Sequence, residues 1–232
     1  MENIKVVCTR KLKSDILKQA SAKDFDITDT DYLSITYNRN DALYNKSIAS
    51  KNPLFITSVH AIKSIKKFYS NSLSSHKKIQ CFCIEGSTSQ LALEEGYDII
   101  ATEPSALSLA ATILAHGIKH IIYPCGNIRN NSVQNFFKQN AIDCEEFLVY
   151  EKKLLNIKSG VFDAIMFFSP SQIDAFLLGN TLPQNIPAFC IGSTTAEHLK
   201  NKKHINIHIS PNTSQESMFI SLMDYYKKQK AI

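Results

Sequence analysis

Two strand-to-helix junctions occur in this chain and then occur again in the same order, and that repeat narrows the folds open to it. The first reads Phe55-Ile56-Thr57-Ser58 in one half and Phe167-Phe168-Ser169-Pro170-Ser171 in the other. The second reads Cys83-Ile84-Glu85-Gly86-Ser87-Thr88-Ser89-Gln90 and Cys190-Ile191-Gly192-Ser193-Thr194-Thr195-Ala196-Glu197. Two similar domains account for the repeat; one doubly wound sheet that reuses Gly-Ser turns is the competing explanation. Around the junctions, the apolar runs Ile4–Cys8, Leu54–Thr57, Ile79–Ile84, Ile99–Ala101, His120–Tyr123, Ala164–Phe168 and Ala188–Ile191 alternate with segments of helical period. This alternation predicts parallel α/β sheets. Helix ends are marked by Gly96 after Ser89–Glu95, Gly117 after Leu107–His116, Asn140 after Ser132–Gln139 and Gly179 after Ser171–Leu178.

Two segments, Asp31–Asn38 and Glu145–Lys153, mix polar with β-branched or aromatic residues and lack helical period. Such segments suit extended connectors. If both cross between domains, the chain begins one domain, completes the second and returns. The expectation is a discontinuous α/β domain of residues 1–33 and 154–232, a second domain of 39–148, and crossings at 34–38 and 149–153. A chain of 232 residues that is 44% hydrophobic supports two small cores.

Lys and Arg outnumber Asp and Glu by 26 to 21, a net charge of +5. This is too mild for a duplex-binding stripe and suits a small anion, so no nucleic-acid partner is expected. No apolar stretch approaches the ~20 residues that span a bilayer, and Met1–Cys8 holds only a strand-length run. A soluble, cytoplasmic protein without a membrane partner is expected. Cys8, Cys81, Cys83, Cys125, Cys144 and Cys190 include no C-x-x-C pair and read as reduced, mostly buried thiols. His116 and His120 have the spacing of metal ligands, but Gly117 breaks the helix that would align them, so no metal is expected. Lys63–Lys67 and Lys200–Lys203 read as solvated helix faces. No P-loop, G-x-G-x-x-G, G-x-S-x-G or H-E-x-x-H motif is present.

Where a strand of a parallel sheet delivers the chain into a helix, the first helical N–H groups are unpaired and carry partial positive charge. Such edges bind anions. Ser87-x-x-Gln90, Ser169-x-x-Gln172 and Thr194-x-x-Glu197 also match capping-box spacing, so each hydroxyl could simply cap its helix. A further junction at Tyr123-Pro124-Cys125-Gly126-Asn127-Ile128-Arg129 brings the set to five. Together they could line a cleft with amides and hydroxyls.

Read in order, the motifs are Thr9-Arg10, Phe55-Ile56-Thr57-Ser58-Val59-His60-Ala61-Ile62, Gly86-Ser87-Thr88 with Glu94-Glu95-Gly96-Tyr97, and Tyr123-Pro124…Gly126…Arg129 with Val149-Tyr150-Glu151. Phe168-Ser169-Pro170-Ser171 and Ile191-Gly192-Ser193-Thr194-Thr195-Ala196 complete the series and are its most specific members. In this order and spacing they resemble the uroporphyrinogen-III synthase family over nearly the whole chain. Lys11 departs from the family's Pro after Thr-Arg, Ser89 stands where Ala is usual, and Lys200–His204 lacks a Gly that normally follows the last motif.

The resemblance implies two α/β domains joined by a two-stranded ladder, a cleft between them as the active site, no cofactor and a monomer. It implies a lyase of heme biosynthesis that converts hydroxymethylbilane, a linear tetrapyrrole polycarboxylate, to uroporphyrinogen III with loss of water and inversion of ring D. By the same resemblance, Tyr150 is the candidate proton donor, the alternative being a packed strand tyrosine with its hydroxyl in water. The candidate substrate-binding residues are Arg10, Thr57, Ser58, Gly86, Ser87, Thr88, Gly126, Arg129, Ser169, Ser171, Gly192, Thr194 and Thr195. A two-domain clamshell that binds a small molecule is the main rival, and a glycosyltransferase-like enzyme a lesser one.

Overall fold

The alternation of strand and helix is realised, with two places where strand follows strand, in the computed structural model, which describes residues 2–49, 52–73, 79–129 and 131–230. In chain order the elements are β1 (Ile4–Cys8), α1 (Ser14–Ser21), β2 (Phe25–Asp29), β3 (Leu33–Tyr37), α2 (Asp41–Ala49), β4 (Leu54–Ile56), α3 (Val59–Leu73), β5 (Gln80–Ile84), α4 (Ser87–Glu94) and β6 (Asp98–Glu103). They continue with α5 (Ala106–Ala115), β7 (His120–Gly126), α6 (Ser132–Gln139), β8 (Asp143–Leu154), β9 (Ala164–Phe167), α7 (Pro170–Gly179), β10 (Ala188–Cys190), α8 (Ser193–Asn201), β11 (Ile207–Ile209) and α9 (Gln215–Lys230). The chain divides into a terminal unit, Met1–Ser34 with Lys153–Ile232, and a central unit, Ile35–Lys152.

The terminal unit's sheet has the order β11-β10-β9-β1-β2, with every pairing parallel. Successive side chains of a strand point to opposite faces. Val6 and Cys8 accordingly enter one core with α1 and α9, through Ile16, Ala20, Met218, Phe219 and Leu222. Val7 enters the other with α7 and α8, through Ile173, Phe176, Ala196 and Leu199. Apolar residues at every position of β9 follow from helices covering both faces.

The second sheet has the order β3-β8-β7-β4-β5-β6 and is parallel from β8 to β6. Leu54, Ile56, Cys81 and Cys83 pack on α3 and α4. Phe55 and Phe82 pack on α5 and α6. The β3–β8 pair is antiparallel: Asn38 N–H donates to Val149 O at 2.8 Å, and Leu155 N–H donates to Tyr32 O at 3.0 Å. The division between the units falls within these two strands.

Four boundaries differ from the sequence reading. β2 and β11 are edge strands, where one side and much of each face stay polar, so FDITD and IHI show no apolar run. β7 continues through Pro124 to Gly126, beyond the point where β4 pairs with it at Leu54–Ile122. A proline is tolerated there because no ladder donor is needed on that side. β8 is twelve residues long and exceeds the connector read from Glu145–Lys153.

Candidate functional site

Each sheet has a place where the chain order reverses, and in doubly wound folds ligands bind outside the carboxyl ends of the strands at that place. In the central unit it lies between β4 and β7, since β4, β5 and β6 are laid down to one side and β7 and β8 to the other. In the terminal unit it lies between β1 and β9.

The central edge gathers Thr57 and Ser58 after β4, Gly126 at the end of β7, and Tyr150 in register with Gly126 on β8. Tyr150 is only 5% exposed. A Cβ on Gly126 would collide with the Tyr150 ring, 2.6 Å from Cζ, so only glycine leaves room for the ring. Burial raises the phenol's pKa, and a hydrogen bond with Ser58 opposes the shift. The hydroxyl is therefore protonated across physiological pH and engaged with Ser58, not simply solvated.

The hydroxyls of Thr57 and Ser58 are both occupied. Thr57 Oγ1 lies 3.1 Å from the Tyr123 hydroxyl, bridging β4 to β7, and burial pushes the Tyr123 phenol up to about 12. Ser58 Oγ accepts the His60 N–H at 3.2 Å and so caps the start of α3. Arg129 donates Nη1 to Gly126 O at 3.0 Å and Nη2 to Glu146, which also accepts Gln134 Nε2 at 2.7 Å. Its guanidinium is thereby tied to the turn after β7.

At the next junction, Gly86 has φ +85°, a left-handed conformation that side chains disfavour. It sits at the N-cap of α4, which corrects the capping box expected from Ser87 to Gln90: no side chain caps this helix. The helix begins earlier than the motif implies, so Ser87 lies inside its first turn and Thr88 is buried against it. The two other expected boxes fail likewise. Ser169 is the N-cap of α7 with Pro170 next, yet its side chain makes no cap bond, and Gln172 instead accepts the Phe168 N–H at 2.9 Å. Gly192 caps α8, leaving exposed Thr194 and buried Thr195 within the helix. A capping box does occur, on α5, where Ser105 and Ser108 bond reciprocally. First-turn amides of α4, α7 and α8 thus keep their polarity without a side-chain cap.

In the terminal unit, Thr9 and Arg10 follow β1, and Ser169 follows β9. The fully buried Thr9 donates Oγ1 to Met166 O at 2.9 Å and lies 3.3 Å from Gln172 Oε1. Ser169 and Ser171 hydroxyls lie 3.1 Å apart. Arg10 is exposed, with its Cζ 6.0 Å from the Phe168 ring centroid and no described carboxylate paired with it. Lys11, in place of the resembling family's proline, uses its N–H on Asp31 at 3.0 Å and its Nζ on Asp29 at 3.1 Å. Two side-chain anchors thus hold a turn that proline would hold by its ring.

Sequence reasoning passed over Tyr37, Glu146 and the parts that His60 and Gln172 play. The Tyr37 hydroxyl lies 3.1 Å from His60 Nδ1, and the His60 ring centroid lies 5.4 Å from that of Tyr150. Their assembly depends on β3 lying beside β8, for which no spacing rule exists. His116 and His120 go to different partners, Thr112 O at 2.9 Å and Asp143 Oδ2 at 3.1 Å. Among the described residues no cluster of three His, Cys, Asp or Glu could hold a metal, and no helix is long and apolar enough to cross a membrane.

A family model described as Uroporphyrinogen-III synthase HemD matches residues 38–220. No curated protein sequence matches the chain. Among solved structures, uroporphyrinogen-III synthetase from Helicobacter pylori 26695 is 17% identical, with a TM-score of 0.67 over 97% of this chain and 100% of that one. A mutant uroporphyrinogen III synthase from the extremely thermophilic bacterium Thermus thermophilus is 12% identical, with a TM-score of 0.67 over 99% and 100%. The wild-type Thermus enzyme in another crystal form is also 12% identical and gives 0.53 over 97% and 99%.

Proposed function

The chain belongs to the uroporphyrinogen-III synthase family, and from that premise we propose that Tyr150 is its proton donor and that amides at its strand ends receive the substrate's carboxylates. The family's reaction, a cyclising dehydration in tetrapyrrole biosynthesis, acts on hydroxymethylbilane. Membership sets aside the clamshell binding module.

The chemistry asks little of side chains. Breaking the terminal C–O bond with one proton releases water and leaves an electrophilic azafulvenium cation. The substituted carbon of the last ring attacks it, a spiro intermediate opens and recloses with that ring inverted, and a ring carbon finally loses a proton. Both reactive partners belong to the substrate, so the protein contributes orientation and one proton that is given and taken back.

The observation that carries the assignment is the buried Tyr150 phenol beside Gly126, at the place where the central sheet reverses. Burial keeps it protonated, as an acid must be. Gly126, Ser58, Thr57 and the uncapped start of α4 at Gly86, Ser87 and Thr88 supply neighbouring amides, and Arg129 braces the turn. The terminal unit's edge, with Arg10, Ser169, Ser171, Gly192, Thr194 and Thr195, is a second carboxylate-binding surface. Six free cysteines suit the reducing cytoplasm.

The isomer of the product tests this. Hydroxymethylbilane alone closes without inversion to the type I isomer; the protein, without added metal or nucleotide, yields type III. Tyr150→Phe keeps the ring and lowers the rate of type III formation by about 10²–10⁴-fold, the range of a lost general acid. A Tyr150→Phe rate equal to wild type rejects the acid role.

A further inference from the structure

His60 is half-buried in the first turn of α3. Its Nδ1 lies 3.1 Å from the Tyr37 hydroxyl, and its ring is tilted 46° to that of Tyr150 with centroids 5.4 Å apart. Three elements therefore converge on the phenol: β3 through Tyr37, α3 through His60, and β8 through Tyr150 itself. The Tyr150 ring fills the space that a Cβ on Gly126 would take, and the imidazole in contact with it bounds the ring on a further side. An imidazole is also the side chain whose charge changes between pH 5 and 8.

We propose that His60 is a positioning residue for Tyr150, and that its charge sets how readily the phenol gives up its proton. The inference rests on the reading of Tyr150 as the acid. When His60 is protonated, its positive charge stabilises the phenolate left after donation, so Tyr150 is the stronger acid. When His60 loses its proton, that help disappears while the ring contact remains.

The other groups facing this cluster differ from His60 in kind. The Tyr37 phenol is raised by burial and stays neutral through this range. Lys152 Nζ lies 5.8 Å from the Tyr150 centroid, and Lys67 Nζ lies 5.8 Å from the Tyr37 centroid. Burial lowers the Lys152 pKa from the ordinary lysine value. Two ammonium groups and the Arg129 guanidinium, whose charge also favours the Tyr150 phenolate, form a standing positive background, to which a protonated His60 adds. Tyr37 fixes the imidazole, because a hydroxyl on Nδ1 sets the ring's orientation.

The test is the pH profile of type III formation, followed as separate kcat and KM. The wild-type kcat should fall several-fold between pH 6 and 8, with KM nearly constant, because the rate follows the phenol's pKa with a Brønsted slope below one. His60→Asn keeps a polar partner for Tyr37 without the charge and should flatten that fall, holding kcat near the wild-type high-pH value. An unchanged fall in His60→Asn overturns the proposal. If His60→Asn does not fold, Tyr37→Phe removes the partner of Nδ1 while preserving packing. It should move the midpoint of the fall by about half a unit or more, and an unmoved midpoint overturns the proposal equally. Tyr150→Phe separates the two readings: a rate equal to wild type rejects Tyr150 as the acid, whereas a slow Tyr150→Phe with an unaltered His60→Asn profile rejects the role of His60 alone.

Discussion

The terminal and central units reach one spatial order by two routes through the chain. The order β2-β1-β9-β10-β11 in the first corresponds to β8-β7-β4-β5-β6 in the second, and each sheet reverses between its second and third strands in that order. What the two place at the reversal differs. In the terminal unit a buried threonine hydroxyl ties β1 to β9, through Met166 O, with Gln172 beside it, and the exposed charge belongs to Arg10. In the central unit Thr57 and Tyr123 make the corresponding tie from β4 to β7, and the next strand adds the buried Tyr150 with His60 and Tyr37 around it. The shared scaffold supplies amides at strand ends; the central copy adds a buried tyrosine with an imidazole against it at its reversal.

The most disruptive way to test that contrast is Gly126→Ala. The new Cβ would overlap the Tyr150 ring, which must turn or shift. We expect about a 100-fold loss of kcat, the scale of a displacement of about 1 Å in a catalytic group, and a stability loss of about 1–3 kcal/mol from overpacking. Steady-state rates and chemical denaturation measure the two separately. A variant with normal kcat would show that Tyr150 need not occupy this position.

Thr9→Val probes the other copy. It removes the hydroxyl bond to Met166 O and the donor beside Gln172 Oε1, while each acceptor keeps a backbone N–H, from Thr9 and Phe168, so the cost should be about 0.5–1.5 kcal/mol. Denaturant midpoints should fall while the pH dependence of kcat stays as in wild type. A changed pH dependence would mean that the terminal edge takes part in proton transfer.

Arg10→Gln comes next in size. The side chain is exposed and pairs with no described carboxylate, so its removal should not alter stability. Loss of one charge-assisted contact to a substrate carboxylate should raise KM about tenfold, or about 1.4 kcal/mol, at nearly constant kcat. An unchanged KM removes Arg10 from the binding surface.

How far the sequence could be read depends on whether a feature is local. The parallel α/β class follows from strand-length runs such as Leu54–Ile56, and the glycines at 96 and 117 mark real helix ends, both with positive φ. Tyr150 and the junction glycines were legible because the motifs that resemble the family include them. The neighbours of Tyr150 were not. Tyr37 lies 113 positions from it, and only the antiparallel β3–β8 pairing brings that strand alongside. β2 and β11 escaped because an edge strand needs no continuous apolar run. The capping boxes failed for a different reason: the spacing fixes neither the residue at which a helix starts, which Gly86 and Gly192 set earlier, nor the side chains' partners, which for Ser169 and Gln172 are the Ser171 hydroxyl and the Phe168 N–H.

That last distinction yields the smallest and most discriminating prediction. Ser87 and Ser105 both stand at the starts of helices that support the central sheet, but only Ser105 has its hydroxyl in a capping box, accepting the Ser108 N–H at 3.1 Å. Ser105→Ala should therefore lose about 1 kcal/mol, the usual cost of an N-cap side chain. Ser87→Ala removes no cap bond and replaces serine with the better helix former, so its stability should change by less than about 0.5 kcal/mol. If Ser87 meets substrate through its N–H, KM should hold as well, because alanine keeps that donor. A rise in KM without a loss of stability would assign the contact to the hydroxyl, and would place a side chain where the repeated junctions of this fold otherwise offer backbone.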